Sequence, residues 1–204
     1  MDEYAVLVFR DQPFTGEDRR RFFSLGNRLW HTDASFQDPP GRYSMLNAQV
    51  VPPVEADTEF VDTRAAYDAL SPDMKAQLEG LRVHHSIAHS REKMGFDFSA
   101  GEQEALKGAV HPLVRTIPGS NRKAIYIASH ASMIIGWPIP EGRLLLWDLM
   151  EHATQREFVY RHSWRVADFL IWDNRATMHR GRRYDDTKYR RELRRVTTLD
   201  TTRM

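Results

Sequence analysis

The sequence of 204 residues contains no cysteine. This absence excludes disulfides, zinc–thiolate sites, iron–sulfur clusters and cysteine nucleophiles, so a catalytic metal must be held by His, Asp or Glu. No apolar run approaches the roughly 18 residues that span a bilayer. The amino terminus, MDEYAVLVFR, carries acid where a signal peptide needs base. We therefore expect a cytoplasmic protein that does not enter a membrane.

The sequence also lacks an excess of charge of one sign, because 29 basic residues stand against 28 acidic ones. This balance excludes a global attraction to nucleic acid, although a local basic patch is compatible with it. Arginine supplies 24 of the basic residues. Arginine clamps carboxylates in a bidentate manner, but codon composition explains such an excess equally well. No repeat or linker divides the chain, so we expect one domain over residues 1–204.

Short apolar runs bounded by turn residues predict strands. These runs are Ala5–Phe9, Arg42–Val51, Thr58–Asp62, Leu113–Thr116, Ala124–Ala128, Phe158–His162, Phe169–Trp172 and Arg195–Leu199. Capping residues and helical spacing predict helices from Thr15 to Phe23, Ser71 to Leu81 and Glu141 to Thr154. Many short strands without strand–helix alternation predict a mainly β fold with flanking helices (α+β), either an antiparallel barrel or a jelly roll.

The stretch Trp30-His31-Thr32-Asp33 is the sharpest local feature. In an extended segment, residues two apart point to the same side, so His31 and Asp33 can face one ion. The best candidate for a third ligand is His179, which we expect just beyond a strand. Two His and one carboxylate form the facial triad of non-haem Fe(II) oxygenases, which leaves positions open for a co-substrate and dioxygen. The tripeptide alone is a weak signal, because a hydrogen-bonded surface pair is the more common reason for this spacing.

A basic segment, Arg190-Arg191-Glu192-Leu193-Arg194-Arg195, follows that histidine. In a strand, Arg191 and Arg195 share one face, and two inward guanidiniums need anions. A dicarboxylate and a carboxylate substrate would satisfy them. A solvated edge strand and a phosphate-binding patch remain open as alternatives. The interruption by Glu192 and the lack of an aromatic ladder argue against nucleic-acid binding.

Together these features resemble the taurine dioxygenase family of Fe(II)- and 2-oxoglutarate-dependent dioxygenases. Within that family, the chain most resembles the 2,4-dichlorophenoxyacetate dioxygenase branch. Further matching segments extend the resemblance from Asn27 almost to the carboxyl terminus, namely Arg42–Leu46, Asp57–Phe60, Asp62–Leu70, Glu151–His162, Trp172–Arg175 and His179–Asp185. The resemblance implies a double-stranded β-helix, which is a jelly roll.

The resemblance also implies roles for the metal and co-substrate residues. Fe(II) would be bound by His31, Asp33 and His179. The distal carboxylate of 2-oxoglutarate would pair with Arg191, helped by the hydroxyl of Thr58.

Three further residues would contact the substrate. Arg195 would bind the substrate carboxylate, and Asn27 lies at a position that lines the pocket in the family. His130 matches a family histidine near the substrate end, although a purely structural role is equally open. The resemblance matches no ligand role to the remaining histidines, which are His84, His85, His89, His111, His152 and His162.

The implied reaction converts an aryloxyalkanoate such as 2,4-dichlorophenoxyacetate, with 2-oxoglutarate and dioxygen, to a phenol, glyoxylate, succinate and carbon dioxide. One alternative is the same machinery acting on a sulfonate or another small aromatic carboxylate. Alternatives of another class are a catalytically inactive ligand-binding module and a basic-patch nucleic-acid binder. The resemblance leaves a homo-oligomer open.

The chain departs from the family pattern in two places. Relative to the family pattern, the sequence lacks an amino-terminal region and a long segment between Phe23 and Ser24, so we expect an incomplete dioxygenase domain. One extra residue lies between His179 and Arg191, within Asp185–Tyr189. We expect a loop insertion there that leaves Arg191 in place.

Overall fold

The computed structural model describes residues 24–201. The predicted strand Ala5–Phe9, the predicted helix from Thr15 to Phe23 and the junction between Phe23 and Ser24 lie outside the described residues. The described strands β1 to β11 are Gly41–Val50, Thr58–Asp62, Arg82–His85, Ala109–Pro112, Val114–Ile117, Arg122–Ile125, Ala131–Ile134, Val159–His162, Phe169–Asp173, Thr177–Gly181 and Glu192–Leu199. The described helices α1 to α5 are Thr63–Asp68, Pro72–Leu78, Ile87–Glu92, Ala100–Ala105 and Ile139–Ala153, and a 3-10 turn spans Arg156–Phe158.

Most strands belong to three-stranded antiparallel sheets. Their strand orders are β11-β1-β9, β10-β2-β8 and β4-β3-β7, and β5 and β6 form a separate hairpin. The first two sheets carry three of the predicted site residues, namely Thr58 on β2, His179 on β10 and Arg195 on β11. The mainly β architecture with flanking helices is thus confirmed. No helix within residues 24–201 is both long and apolar enough to cross a bilayer.

The main hydrophobic core lies between the sheets and the longest helix, α5. Leu145 and Leu149 are four residues apart, share one face of α5 and are both buried. They join a cluster that includes Val61 of β2, Ile134 of β7 and Met178 of β10. The core therefore holds the strand that contains Met178 rigidly against its neighbours.

Several element boundaries differ from their predictions. Ser71 caps α2 as predicted, since its hydroxyl accepts from the Met74 N–H, but the helix ends at Leu78 rather than Leu81. Gly80 follows with φ of +77°, a conformation that ends helices and favours glycine. Strand β6 begins at Arg122 rather than at Ala124, and β11 begins at Glu192 rather than at Arg195.

The prediction that His179 lies just beyond a strand is wrong. His179 lies within β10, where it is paired with Phe60 of β2. Strand β9 ends at Asp173, and the chain turns at once, with the Ala176 N–H donating to the Asp173 carbonyl at 3.1 Å. The turn is too short, and β10 too poor in apolar residues, for the sequence pattern to separate the two strands.

A buried histidine outside the candidate site leads to a prediction about acid stability. His85 of β3 is fully buried, and neither ring nitrogen has a hydrogen-bond partner within the described part of the chain. Burial, with His111 and Arg115 nearby, holds the pKa of His85 well below its ordinary 6.5. The unfolded chain therefore binds a proton below pH 6.5 that the folded chain does not, and the folded state loses stability as the pH falls.

We expect His85→Phe to make the free energy of unfolding less dependent on pH below 6.5. The slope should decrease by about 1.4 kcal/mol per pH unit, which is the linkage for one proton. Urea unfolding of both proteins at pH 7.5, 6 and 5 measures it. Parallel profiles for the two proteins would show that His85 does not carry this linkage.

Candidate metal centre

Three side chains that could hold a metal ion meet at a short bridge between two segments. The His31 N–H donates to the His179 carbonyl at 3.0 Å, and the His179 N–H donates to the His31 carbonyl at 2.7 Å. One ligand atom from each of His31, Asp33 and His179 lies within 4.8 Å of the others. All three residues are buried. The structure thus brings together the three residues that were predicted as metal ligands.

The two imidazoles are held by contacts that leave ring nitrogens available. His31 Nδ1 lies 2.7 Å from the Leu29 carbonyl. A carbonyl only accepts, so Nδ1 carries the proton and Nε2 keeps its lone pair for a metal. The His179 ring packs against Trp172 at 4.7 Å between centroids and stacks on Phe60 at 5.8 Å. These aromatic walls fix the ring plane of His179.

The carboxylate of Asp33 is held by a hydroxyl and a guanidinium. Ser44 Oγ donates to Asp33 Oδ2 at 2.6 Å, and Arg195 Nη1 donates to Asp33 Oδ1 at 2.7 Å. The Asp33 backbone N–H donates to Asn174 Oδ1 at 3.1 Å. His179 Nε2 lies 3.9 Å from Asp33 Oδ2, so the carboxylate faces the histidine.

The protonation states match those that a metal ion requires. Burial raises the pKa of Asp33, but His179 and Arg195 outweigh it and lower that pKa to about 2. Burial, with His31 nearby, lowers the pKa of His179 to about 3, and burial also lowers the pKa of His31. At pH 7 the site is therefore one carboxylate and two neutral imidazoles, which is the form that binds metals.

A second polar site lies beside the metal ligands on β2, the strand that pairs with β10 and its His179. Thr58 and Phe60 are two residues apart on β2 and share a face, and Phe60 stacks on His179. Thr58 Oγ1 accepts from Trp164 Nε1 at 2.9 Å and from Arg191 Nη2 at 3.0 Å. Two residues along a strand correspond to about 7 Å. Arg191, separated from Thr58 by 133 positions in sequence, thus lies close to the metal ligands.

The Arg191 guanidinium is half-buried and lacks an anionic partner. Burial lowers its pKa, its Nε is buried without a hydrogen-bond partner, and no ion pair joins it to an acidic residue in the described ranges. Both lone pairs of Thr58 Oγ1 are occupied by obligate donors, so the hydroxyl proton is free to donate. This arrangement is suited to a carboxylate ligand.

The three predicted substrate residues are placed differently from one another. Arg195 is half-exposed and contacts Asp33. His130 is buried, with Nδ1 at 2.9 Å from Ser90 Oγ and its ring 6.4 Å from that of His31. Asn27 is exposed, and its backbone carbonyl accepts from the Gly181 N–H at 2.7 Å. Arg195 and His130 thus border the metal ligands, whereas the Asn27 side chain faces solvent.

Three residues that shape the site were not assigned a role from the sequence. Ser44 and Asn174 hold Asp33, and the Trp164 indole holds Thr58. Ser44 and Asn174 appeared only within the segments that carry the family resemblance. That resemblance was the one signal that could have marked them, because each acts through a contact between distant parts of the chain.

Comparisons with known proteins identify the family to which the chain is similar. The family described as "Taurine catabolism dioxygenase TauD, TfdA family" matches residues 23–197. The alpha-ketoglutarate-dependent 2,4-dichlorophenoxyacetate dioxygenase of Cupriavidus pinatubonensis is 57% identical over 178 residues, which are 87% of this chain and 62% of the relative. The (S)-phenoxypropionate/alpha-ketoglutarate-dioxygenase of Sphingobium herbicidovorans is 33% identical over 229 residues, which cover 92% of this chain and 80% of the relative.

Two solved structures are also similar to this chain. AAD-2 in complex with Mn(II) and N-oxalylglycine has a TM-score of 0.88 and 48% identity, covering 94% of this chain and 69% of that one. A taurine dioxygenase from Burkholderia xenovorans has a TM-score of 0.71 and 31% identity, covering 88% of this chain and 58% of that one. The chain spans about 60% of the length of the two curated 2,4-dichlorophenoxyacetate dioxygenases that it matches.

Proposed function

The chain belongs to the TauD/TfdA dioxygenase family, and from this premise we propose that it is an Fe(II)- and 2-oxoglutarate-dependent dioxygenase. Its proposed substrate is an aryloxyalkanoate such as 2,4-dichlorophenoxyacetate, and the products are a phenol, glyoxylate, succinate and carbon dioxide. The observation that carries the proposal is the buried cluster of His31, Asp33 and His179. The sheets β11-β1-β9 and β10-β2-β8 would be the two sides of a double-stranded β-helix.

The donor set fits a redox-active divalent metal. Two neutral imidazoles and one carboxylate on one face, with no thiolate in the sequence, match the ligands of non-haem Fe(II) oxygenases. Fe(II) would be held by His31, Asp33 and His179, and it would supply the activation of dioxygen. The protein would orient the reactants around it, and the aromatic side chains of Phe60 and Trp172 keep His179 in place.

The neighbouring donors favour a dicarboxylate co-substrate. The positive charge of Arg191 and the free proton of Thr58 can hold one carboxylate of 2-oxoglutarate. The metal ligands lie about two strand residues away. The other end of a five-carbon dicarboxylate can therefore reach the metal.

The choice of an aryloxyalkanoate rests on the relatives and on Arg195. The two 2,4-dichlorophenoxyacetate dioxygenases are 57% and 55% identical to this chain. Arg195 borders the metal ligands and is half-exposed, so its remaining N–H groups can bind a substrate carboxylate. A carboxylate held there would place the carbon beside the ether oxygen near the metal.

A substrate panel tests the proposed activity. Purified protein with Fe(II), 2-oxoglutarate and dioxygen is given aryloxyacetates, an aryl sulfonate and benzoate, and succinate and phenol are measured together. We expect phenol and succinate in equal amounts from the aryloxyacetates. Succinate coupled only to the sulfonate would reassign the substrate, and no coupled turnover with any compound would reject the proposed activity.

We expect Arg195→Gln to raise the KM for the aryloxyacetate more than the KM for 2-oxoglutarate. A lost charged hydrogen bond at a half-exposed position costs about 1.5 kcal/mol, or about tenfold. Arg194→Gln, which changes an exposed neighbour on the same strand, is the matched control and should leave both constants unchanged. Equal shifts of the two constants would place Arg195 outside the substrate site.

The charge pattern argues against the nucleic-acid alternative. Arg180 and Arg182 pair with Glu59, and Arg190 pairs with Glu192. These two acids offset part of the positive charge in and near the basic segment, which weakens its attraction for phosphates. Binding of 2-oxoglutarate without turnover would favour the inactive ligand-binding module. The oligomeric state and the cytoplasmic location remain predictions.

A further inference from the structure

The amide of Asn174 has a defined orientation. Asn174 is 1% exposed and lies in the turn between β9 and β10. Its Oδ1 accepts from the Asp33 backbone N–H at 3.1 Å and from the Trp172 indole N–H at 3.0 Å. Both partners can only donate, so they settle which end of the amide is oxygen. The Nδ2 end therefore donates to Ser44 Oγ at 2.8 Å.

The direction of every hydrogen bond at Ser44 follows from this orientation. Ser44 is fully buried and accepts from Asn174. An ionised carboxylate only accepts, so the single hydroxyl proton of Ser44 goes to Asp33 Oδ2 at 2.6 Å. Thr197 Oγ1, 2.9 Å away, must then donate to Ser44. The result is a one-way relay from Asn174 through Ser44 to Asp33.

The same turn also anchors the backbone around Asp33. The Thr32 hydroxyl donates to the Asn174 carbonyl at 2.6 Å. Asn174 thus holds residue 33 at two points, directly at its N–H and through Ser44 at its carboxylate. The Ser44 bond occupies one acceptor position of Oδ2 and leaves the carboxylate other positions for a metal.

We propose that Asn174, acting through Ser44, is a positioning residue that sets the rotation of the Asp33 carboxylate toward His31 and His179. Neither Asn174 nor Ser44 is a metal ligand. The inference rests on the proposed function only in that a metal ion binds at these three residues. Loss of such an outer partner weakens metal binding by roughly 10- to 100-fold in metalloproteins.

The chain offers a matched pair of serines for the test. Ser35 is as deeply buried as Ser44, but its hydroxyl has no hydrogen-bond partner in the described part of the chain. Anaerobic titration with Mn(II), without co-substrate, measures the Kd of each variant. We expect Ser44→Ala to weaken binding by roughly 10- to 100-fold and Ser35→Ala to match the unchanged protein. Equal values for the two variants would overturn the proposal.

A second variant tests the relay itself. Asn174→Asp keeps the shape but replaces the donor to Ser44 by an acceptor, which draws the hydroxyl proton away from Asp33. Its effect on the Mn(II) Kd is measured twice, once with Ser44 present and once in the Ser44→Ala background. Comparing the two fold-changes cancels the effect of the added charge, which is common to both. We expect a larger loss when Ser44 is present. The same fold-change in both backgrounds would contradict a relay.

His31→Ala separates this inference from the proposed metal site. Loss of Mn(II) binding in His31→Ala together with unchanged binding in Ser44→Ala would reject the relay alone. Unchanged binding in His31→Ala would reject the metal site itself. Thermal unfolding of each metal-free variant checks that it is folded.

Discussion

His179→Ala is expected to abolish 2-oxoglutarate-dependent succinate formation. The substitution removes one of three donors and opens the packed position between Phe60 and Trp172. Two remaining donors cannot form the facial triad of metal ligands that is typical of non-haem Fe(II) oxygenases. The loss of activity should exceed the 10- to 100-fold that typically follows removal of a residue that only hydrogen-bonds to a metal ligand. Succinate release at saturating Fe(II) and co-substrate measures it.

His89→Ala is the control for this prediction. His89 lies in α3, outside the metal cluster, and burial lowers its pKa to about 4. It is therefore a neutral histidine at pH 7, as His179 is, and we expect its removal to leave turnover unchanged. Retained turnover in His179→Ala would remove this residue from the metal centre.

Arg191→Gln is expected to raise the KM for 2-oxoglutarate by roughly 10- to 150-fold, the range for a lost hydrogen bond between charged groups. The guanidinium is half-buried, and a neutral amide cannot balance the charge of a carboxylate there. The KM for the aryloxyacetate should change much less, because Thr58 and Arg191 are proposed to bind 2-oxoglutarate and not the aryloxyacetate. Initial rates over a range of each reactant separate the two constants.

Two variants sharpen the result at Arg191. Arg190→Gln changes the adjacent, exposed arginine, which pairs with Glu192, and should leave both constants unchanged. Arg191→Lys keeps the positive charge but loses the planar pair of N–H donors. Its KM for 2-oxoglutarate should therefore lie between those of Arg191→Gln and the unchanged protein. An unchanged KM for 2-oxoglutarate in Arg191→Gln would show that the co-substrate binds elsewhere.

The sequence predicts local elements well where one physical signal dominates. Strand β2 was predicted with the bounds that the structure has, and its Thr, Phe and Val residues favour strands. The start of α2 was predicted from Ser71 and Pro72, a cap and a first-turn residue. In both cases the information lies within a few adjacent residues.

The sequence fails where polar side chains face inward. Strands β3 and β4 place His85 and His111 in the interior, so their apolar alternation is broken and they were not predicted. Strand β10 was missed for a similar reason, since the chemistry of His179 replaces an apolar residue. Functional and buried polar positions obscure the hydrophobic pattern from which strands are predicted.

The metal ligands could be proposed from the sequence, but their surroundings could not. His31 and Asp33 are two residues apart, and spacing alone suggests a shared face. The bonds from Arg191 to Thr58 and from Asn174 to Ser44 join residues 133 and 130 positions apart. Only the three-dimensional fold brings such residues together. Arg195 was predicted as a substrate residue, and its contact with Asp33 became visible only in the fold.

Binding of Mn(II) with N-oxalylglycine tests the central claim most directly. Both compounds accompany a solved structure that resembles this chain. Anaerobic titration should show one Mn(II) per chain, bound more tightly when N-oxalylglycine is present. His31→Ala should lose the metal, and Arg191→Gln should keep the metal but lose the tightening. Mn(II) binding that is unaffected by His31→Ala, or that N-oxalylglycine does not tighten in the unchanged protein, would contradict a metal centre with an adjacent 2-oxoglutarate site.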